Sequence, residues 1–282
     1  MTCFDRLRNR IRETGGGLAV GLNPERSRLP ADCREYDYPR RAFTRRIVDA
    51  TSDRAAAYTL NPAYYADADG RVAMAETVAY ARGRGVPVIL DGKWTAIRGS
   101  RVGLLDSVDA VTVAPAVGVG SGALGDEALA RLRDTETAAF AVCRTPNAGA
   151  SDLQALAVAG ESDPEETVAE RVASRVAERA ADAETAIGLL VGGPSETLER
   201  LRERAPDLPF LAVGETSNDP DVADYVTPDD AGEPGVGLVE AGREVIYAGE
   251  APGAAPSRDR DRDADAYAAA ARQAAGRLSR RL

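Results

Sequence analysis

The sequence predicts a single parallel (β/α)8 barrel. Three observations lead there: eight short apolar runs recur along 282 residues, most are separated by stretches with helical spacing, and the length suits a one-domain barrel of about 250 residues.

Each element can be justified in turn. Residues 5–13 have helical spacing, glycines 15–17 punctuate, and 18–22 (LAVGL) form a first buried strand that ends at Asn23 and Pro24. Phe43, Ile47 and Val48 give residues 39–52 one apolar helical face, and 55–60 (AAAYTL) is a second strand ending at Asn61. A helix over 72–84 leads into strand 86–90 (VPVIL), followed by strand 110–114, helix 126–134 and strand 138–143. Asp163 as a cap, Pro164 at the first helical position and Val168, Val172 and Val176 four residues apart predict a long helix with a buried stripe. Strand 186–191, helix 194–205 and strands 208–213 and 235–239 complete the eight. Residues 96–110 leave little room for a helix, and 213–235 are acidic, with Pro220 and Pro228. Residues 251–263 read as a charged linker to a closing helix, 264–282, with Tyr267, Ala271 and Leu278 turned inward. The whole of 1–282 is expected to be one domain.

Composition narrows the function. A net charge of -10 and a pI near 4.8 argue against a nucleic-acid partner, which needs a basic patch to neutralise phosphates. Acidic, arginine-rich and alanine-rich together suggest a salty cytoplasm, where self-repulsion is screened. No run of 18 apolar residues and no apolar N-terminal leader occur, so no membrane partner and a cytoplasmic location are expected. Cys3, Cys33 and Cys143 lack metal-ligand spacing and read as reduced thiols. With no histidine, Ser-His-Asp and Cys-His triads and histidine metal sites are excluded, and no metal is expected. Residues 120–125 (GSGALG) match G-x-G-x-x-G, yet the next strand ends at Arg144 rather than at an acid, which favours a plain loop. Residues 65–70 (YADADG) lack the later glutamate of a calcium loop and read as a turn.

Barrel ligands sit at the carboxyl ends of the strands. The residues there are Asn23, Thr59 to Asn61, Asp91 to Lys93, Ala116, Arg144 to Asn147, Gly192 and Gly193, Gly214 to Asn218, and Gly242 and Arg243. Lys93 is the single lysine among 35 basic residues. An arginine holds its proton at neutral pH, whereas a lysine beside carboxylates can transfer one, so Asp91 and Lys93 are the catalytic candidates; a surface lysine left by chance is the alternative. Gly242 and Arg243 late in the chain suit the phosphate of a phosphorylated small molecule, against an ordinary surface arginine, and Asn23, Thr59 and Asn61 complete the substrate-binding set.

The chain resembles the longer type of archaeal and bacterial orotidine 5'-phosphate decarboxylases nearly end to end. The stretches that carry the likeness are 4–7 (FDRL), 20–24 (VGLNP), 43–51 (FTRRIVDAT), 86–93 (VPVILDGK), 142–145 (VCRT), 188–192 (GLLVG) and 235–239 (GVGLV), with Arg243 and 246–250 (IYAGE). The resemblance implies a cofactor-free (β/α)8 homodimer that converts orotidylate to uridylate and carbon dioxide. It implies that Asp91 and Lys93 belong to a carboxylate-lysine-carboxylate array, and that Arg243 holds phosphate. Against the family's D-x-K-x-x-D-I, residues 91–97 read DGKWTAI, so Ala96 replaces the aspartate lent to the neighbouring subunit. Asn23 stands for an aspartate, Thr59 for a lysine and Pro146 for a serine that meets the pyrimidine, and no phosphate-loop glutamine is identifiable among residues 214–218. These departures imply impaired decarboxylation, a non-catalytic paralogue binding a phosphorylated ligand or a protein partner, or a lyase on another sugar phosphate.

Overall fold

The computed structural model describes residues 2–97, 105–115, 118–158, 165–214, 221–227, 235–250 and 264–282. Eight parallel strands in chain order close into a barrel, as the alternating runs predict. They are β1 (Leu18–Gly21), β2 (Ala57–Leu60), β3 (Val88–Trp94), β4 (Ala110–Val113), β5 (Ala138–Val142), β6 (Ile187–Val191), β7 (Phe210–Ala212) and β8 (Gly237–Ala241). The helices are α1 (Cys3–Thr14), α2 (Pro39–Thr51), α3 (Ala68–Gly83), α4 (Asp126–Asp134), α5 (Val168–Asp182), α6 (Ser195–Arg204), α7 (Val222–Val226), α8 (Arg243–Ile246) and α9 (Ala264–Ser279).

The chain divides into two compact units, Arg10–Gly92 with Ala241–Leu282, and Met1–Asn9 with Lys93–Glu240. In the first, α2 packs against both α9 and α3. Phe43 of α2 meets Tyr267 of α9 edge-on, 5.8 Å between ring centroids. The buried hydroxyls of Thr44 and Thr77 join α2 to α3 at 2.8 Å, each satisfying the other where water cannot reach. Asp67 caps α3 by accepting the Gly70 N–H at 2.6 Å, so α3 begins at Ala68 rather than at 72 and takes in the end of the stretch 65–70 that read as a turn. In the second unit Phe140 of β5 meets the Phe4 ring at 5.7 Å. Gly188 on β6 is required beside it: a β-carbon there would lie 2.9 Å from the Phe140 ring and 2.5 Å from the Pro209 carbonyl.

Several boundaries differ from expectation for local reasons. Strand β3 does not stop at Leu90 but runs on through Asp91 and Lys93 to Trp94. Helix α5 starts at Val168, where Thr167 caps it by accepting the Glu170 N–H while Glu170 accepts the Thr167 N–H, a reciprocal box absent from the valine spacing. Its buried face is Ala169, Glu170, Ala173 and Val176, with Val168 and Val172 only half-buried. On α9, Tyr267 and Ala271 are buried as expected, but Leu278 is half-buried and Ser279 takes the inner position. Asp163, Pro164, Ala116, Pro220, Pro228, residues 215–218 and the linker 251–263 lie outside the described residues. Among the described residues no helix is long and apolar enough to cross a membrane.

Candidate active site

All the substrate-binding candidates and Asp91 fall in the first unit; Lys93, two residues beyond Asp91 on the same strand, opens the second. The direction in which these side chains point follows from the strand period of two. Tyr58 turns towards α2, its hydroxyl within 2.9 Å of Thr51 Oγ1 and donating to the Val48 carbonyl at 3.3 Å. Thr59 therefore turns the opposite way, into the barrel, where it is fully buried. Ile89 is its register partner on β3, so Asp91, two residues on, shares that inward face, and it is 8% exposed.

Lys93 breaks the pleat. Its φ is +47°, left-handed backbone that costs a lysine about 1–2 kcal/mol relative to an ordinary conformation. The turn is held by its own N–H, which donates to Thr112 Oγ1 of β4 at 2.9 Å, and the residue is exposed. The conformation re-aims the side chain at the end of the strand; Glu136, at φ +52°, shares this left-handed backbone. Ala96 is exposed and Ile97 buried.

The ends of β1, β2 and β8 are stitched together. The Leu22 N–H donates to the Thr59 carbonyl at 2.8 Å, and Asn23 Oδ1 accepts the Asn61 N–H at 2.7 Å. Asn61 Oδ1 in turn accepts the Ala63 N–H at 2.9 Å. The side-chain oxygens of Asn23 and Asn61 thus serve the loop backbone, leaving their carboxamide NH2 groups and one oxygen lone pair each for a ligand. A β-carbon on Gly242 would lie 3.9 Å from Gly21, so the turn bearing Arg243 runs beside the end of β1. Arg243 is exposed, with no side-chain hydrogen bond or ion pair among the described residues.

A cluster that the strand ends did not reveal braces this turn. Tyr247 accepts the Glu25 N–H on its hydroxyl at 2.6 Å and lies 3.5 Å beneath the Arg28 guanidinium. Arg28 donates to both carboxylate oxygens of Glu250, at 3.0 and 2.6 Å. The one signal in the sequence was that Tyr247 and Glu250 fall in a stretch matching the decarboxylase pattern. Burial pushes the Tyr247 phenol well above its usual range, so it stays neutral.

In the second unit, Pro146 occupies the ends of β6 and β7. A β-carbon on Gly214, at φ +79°, would lie 2.4 Å from Pro146, and one on Gly192 would lie 2.9 Å away. Arg144 donates to the Gly192 carbonyl at 2.8 Å and blocks any side chain at Gly193. A serine at 146 would offer a hydroxyl here; proline offers an apolar wedge. Among the described residues no group of three or more cysteines, histidines and carboxylates is placed to hold a metal ion.

No family model matches the chain. Individual proteins do. It is 40% identical over 259 residues to the orotidine 5'-phosphate decarboxylase of Halobacterium salinarum, covering 89% of this chain and 91% of that protein. It is 39% identical over 259 residues to the one from Halorubrum lacusprofundi, 89% of each chain being covered. Among solved structures, OMP decarboxylase from Leishmania donovani superposes with a TM-score of 0.68 at 27% identity, over 93% of this chain and 94% of that one.

Proposed function

The chain belongs to the orotidine 5'-phosphate decarboxylase family, and from that membership we propose that it is an impaired decarboxylase of orotidylate in which Lys93 is the proton donor. The observation that carries the reading is the lone lysine held in left-handed backbone two residues beyond a buried aspartate. In this reading the Asp91 carboxylate crowds the substrate carboxylate. That group leaves as CO2, its bonding electron pair stays on the pyrimidine ring carbon, and Lys93 Nζ supplies the proton that completes uridylate. Arg243 binds the phosphate, Gly242 gives the ligand close access to the backbone, and Asn23, Thr59 and Asn61 line the substrate.

The magnitude of the impairment follows from what is missing. Losing one preorganised charged group typically costs about 2.7–4 kcal/mol, roughly 10² to 10³ in rate. Asn23, Thr59 and Ala96 replace three such groups, so simple addition gives a loss on the order of 10⁶ to 10⁹, discounted because neighbouring effects do not simply add. Enzymes reach accelerations of up to ~10¹⁷, so the remainder is measurable. The position of Ala96 is one that the family lends to a neighbouring subunit, so the working form proposed is a homodimer, to be checked by solution mass in concentrated salt.

The test is turnover of orotidylate in concentrated salt, beside Lys93→Ala. Slow turnover that vanishes with the substitution supports the reading; equal background in both proteins overturns it. A second reading, a non-catalytic paralogue that binds a phosphorylated ligand, is favoured by the replacement of charged family positions at Asn23, Thr59 and Ala96. It predicts uridylate binding with no turnover.

A further inference from the structure

Helix α9 and Arg54, in the turn that follows α2, form an open groove of about 330 Å³ lined by Arg54, Arg272, Gln273, Gly276, Arg277 and Arg280. It lies just before the start of β2, whereas Thr59 to Asn61 lie at that strand's other end. Four arginines line it in a chain of net charge -10, against the general trend of its surface. One carboxylate offsets them: Asp53 accepts from Arg272 at 2.8 and 3.0 Å and pairs with Arg54 at 3.5 Å. Arg277 and Arg280 have no hydrogen bond or ion pair from their side chains among the described residues.

Part of this charge complements the negative carboxyl end of α9. Gly276 is not explained that way. A glycine inside a helix destabilises it relative to alanine, and is tolerated where a close approach or unusual backbone demands it. Neither holds here. A β-carbon at 276 would find one neighbour within 4 Å, the tip of Arg280 at an ordinary 3.7 Å. What the missing side chain does is leave the floor of the groove open beneath the arginines.

We propose that this groove binds a multiply charged phosphate chain, the inorganic triphosphate or the triphosphate end of a nucleotide, independently of the barrel mouth. Arg277 and Arg280 are donors only and offer planar forks that match phosphate oxygens two at a time, Arg54 and Arg272 add positive charge beside Asp53, and Gln273 adds a carboxamide. The volume is at the small end of the range for ligand sites, about 300–1,000 Å³, which suits a phosphate chain and leaves a nucleoside outside the groove.

Isothermal titration of the full chain with sodium triphosphate, at the lowest salt in which it stays folded, tests this. Saturable binding is expected, weakening steeply as salt rises and falling at least tenfold in Arg277→Gln/Arg280→Gln. Gly276→Ala separates site from scaffold: it should raise the melting temperature yet weaken binding. A nucleoside triphosphate binding as tightly as triphosphate identifies the phosphate chain as the recognised group, and tighter binding identifies the nucleotide. No saturable binding up to low millimolar triphosphate, or binding that the double variant leaves unchanged, overturns the proposal.

Discussion

Replacing Arg28 by methionine keeps the apolar stem packed on Tyr247 and removes the guanidinium alone. The side chains of Arg28 and Glu250 are only 14% and 16% exposed. Burial by itself disfavours the Arg28 charge, and the hydrogen bonds and charge of Glu250 more than offset it, leaving its pKa raised. Taking one partner from a buried pair costs about 3–5 kcal/mol, because the other is stranded. Glu250 keeps some contact with water, which places the loss near the lower end, about 3 kcal/mol. The cation 3.5 Å above the Tyr247 ring adds about 1 kcal/mol. The expected loss is therefore about 3–4 kcal/mol, a large share of the ~5–15 kcal/mol that holds an ordinary domain folded. Urea unfolding at fixed salt measures it, with the slope against denaturant unchanged. A double-mutant cycle with Glu250→Gln should show a coupling of about 2 kcal/mol. A loss under ~1 kcal/mol, or a coupling near zero, would refute the claim that this pair braces the β1 and β8 ends.

Lys93→Gly should gain about 0.5–1 kcal/mol in stability by relieving the left-handed backbone, while Lys93→Ala gains nothing; unfolding curves for the two separate strain from chemistry. Burial works to raise the Glu170 carboxyl, but hydrogen bonds from Thr167 and Arg200 prevail and hold it below the usual carboxylate range. A depressed folded value means stability present above the unfolded value of about 4.3 and lost as pH falls through the folded one, so Glu170→Gln should flatten acid unfolding in that window. Burial pushes the thiols of Cys33 and Cys143 up to about 12, so a thiol reagent at pH 8 should label neither until the chain unfolds. Labelling of either at the rate of a free thiol in folded protein would contradict the burial.

The barrel was legible because its signals are short-range. Strands such as 18–22 and 138–143 are apolar on both faces, as parallel strands must be when helices cover one side and the barrel interior the other. What stayed hidden depends on partners far away in sequence. The Thr167 and Glu170 box moved the start of α5 although Pro164 and Asp163 looked like a better cap. Lys93 was visible by its identity, as the one lysine, but its positive φ and the bond from its N–H to Thr112 of β4 were not. Arg28, Tyr247 and Glu250 were invisible as a cluster because more than 200 residues separate Arg28 from its partners, and none of them carries a motif alone.

Asn23 shows how the departures from the family pattern leave the architecture intact. An aspartate and an asparagine have nearly the same shape, and either can accept the Asn61 N–H that ties the end of β1 to β2. Asparagine therefore keeps the loop and drops the charge. Thr59 follows the same logic: a short hydroxyl is fully buried where a lysine would need a carboxylate partner. In the proposed reading Ala96 lacks the second carboxylate too, so a positive and two negative charges of the family pattern are absent. The proposed function ties this pattern to a phosphorylated ligand that is still bound while the electrostatic work on its carboxylate is relaxed. Asn23→Asp should accordingly fold as well as the parent, and any gain in orotidylate turnover would report charge alone.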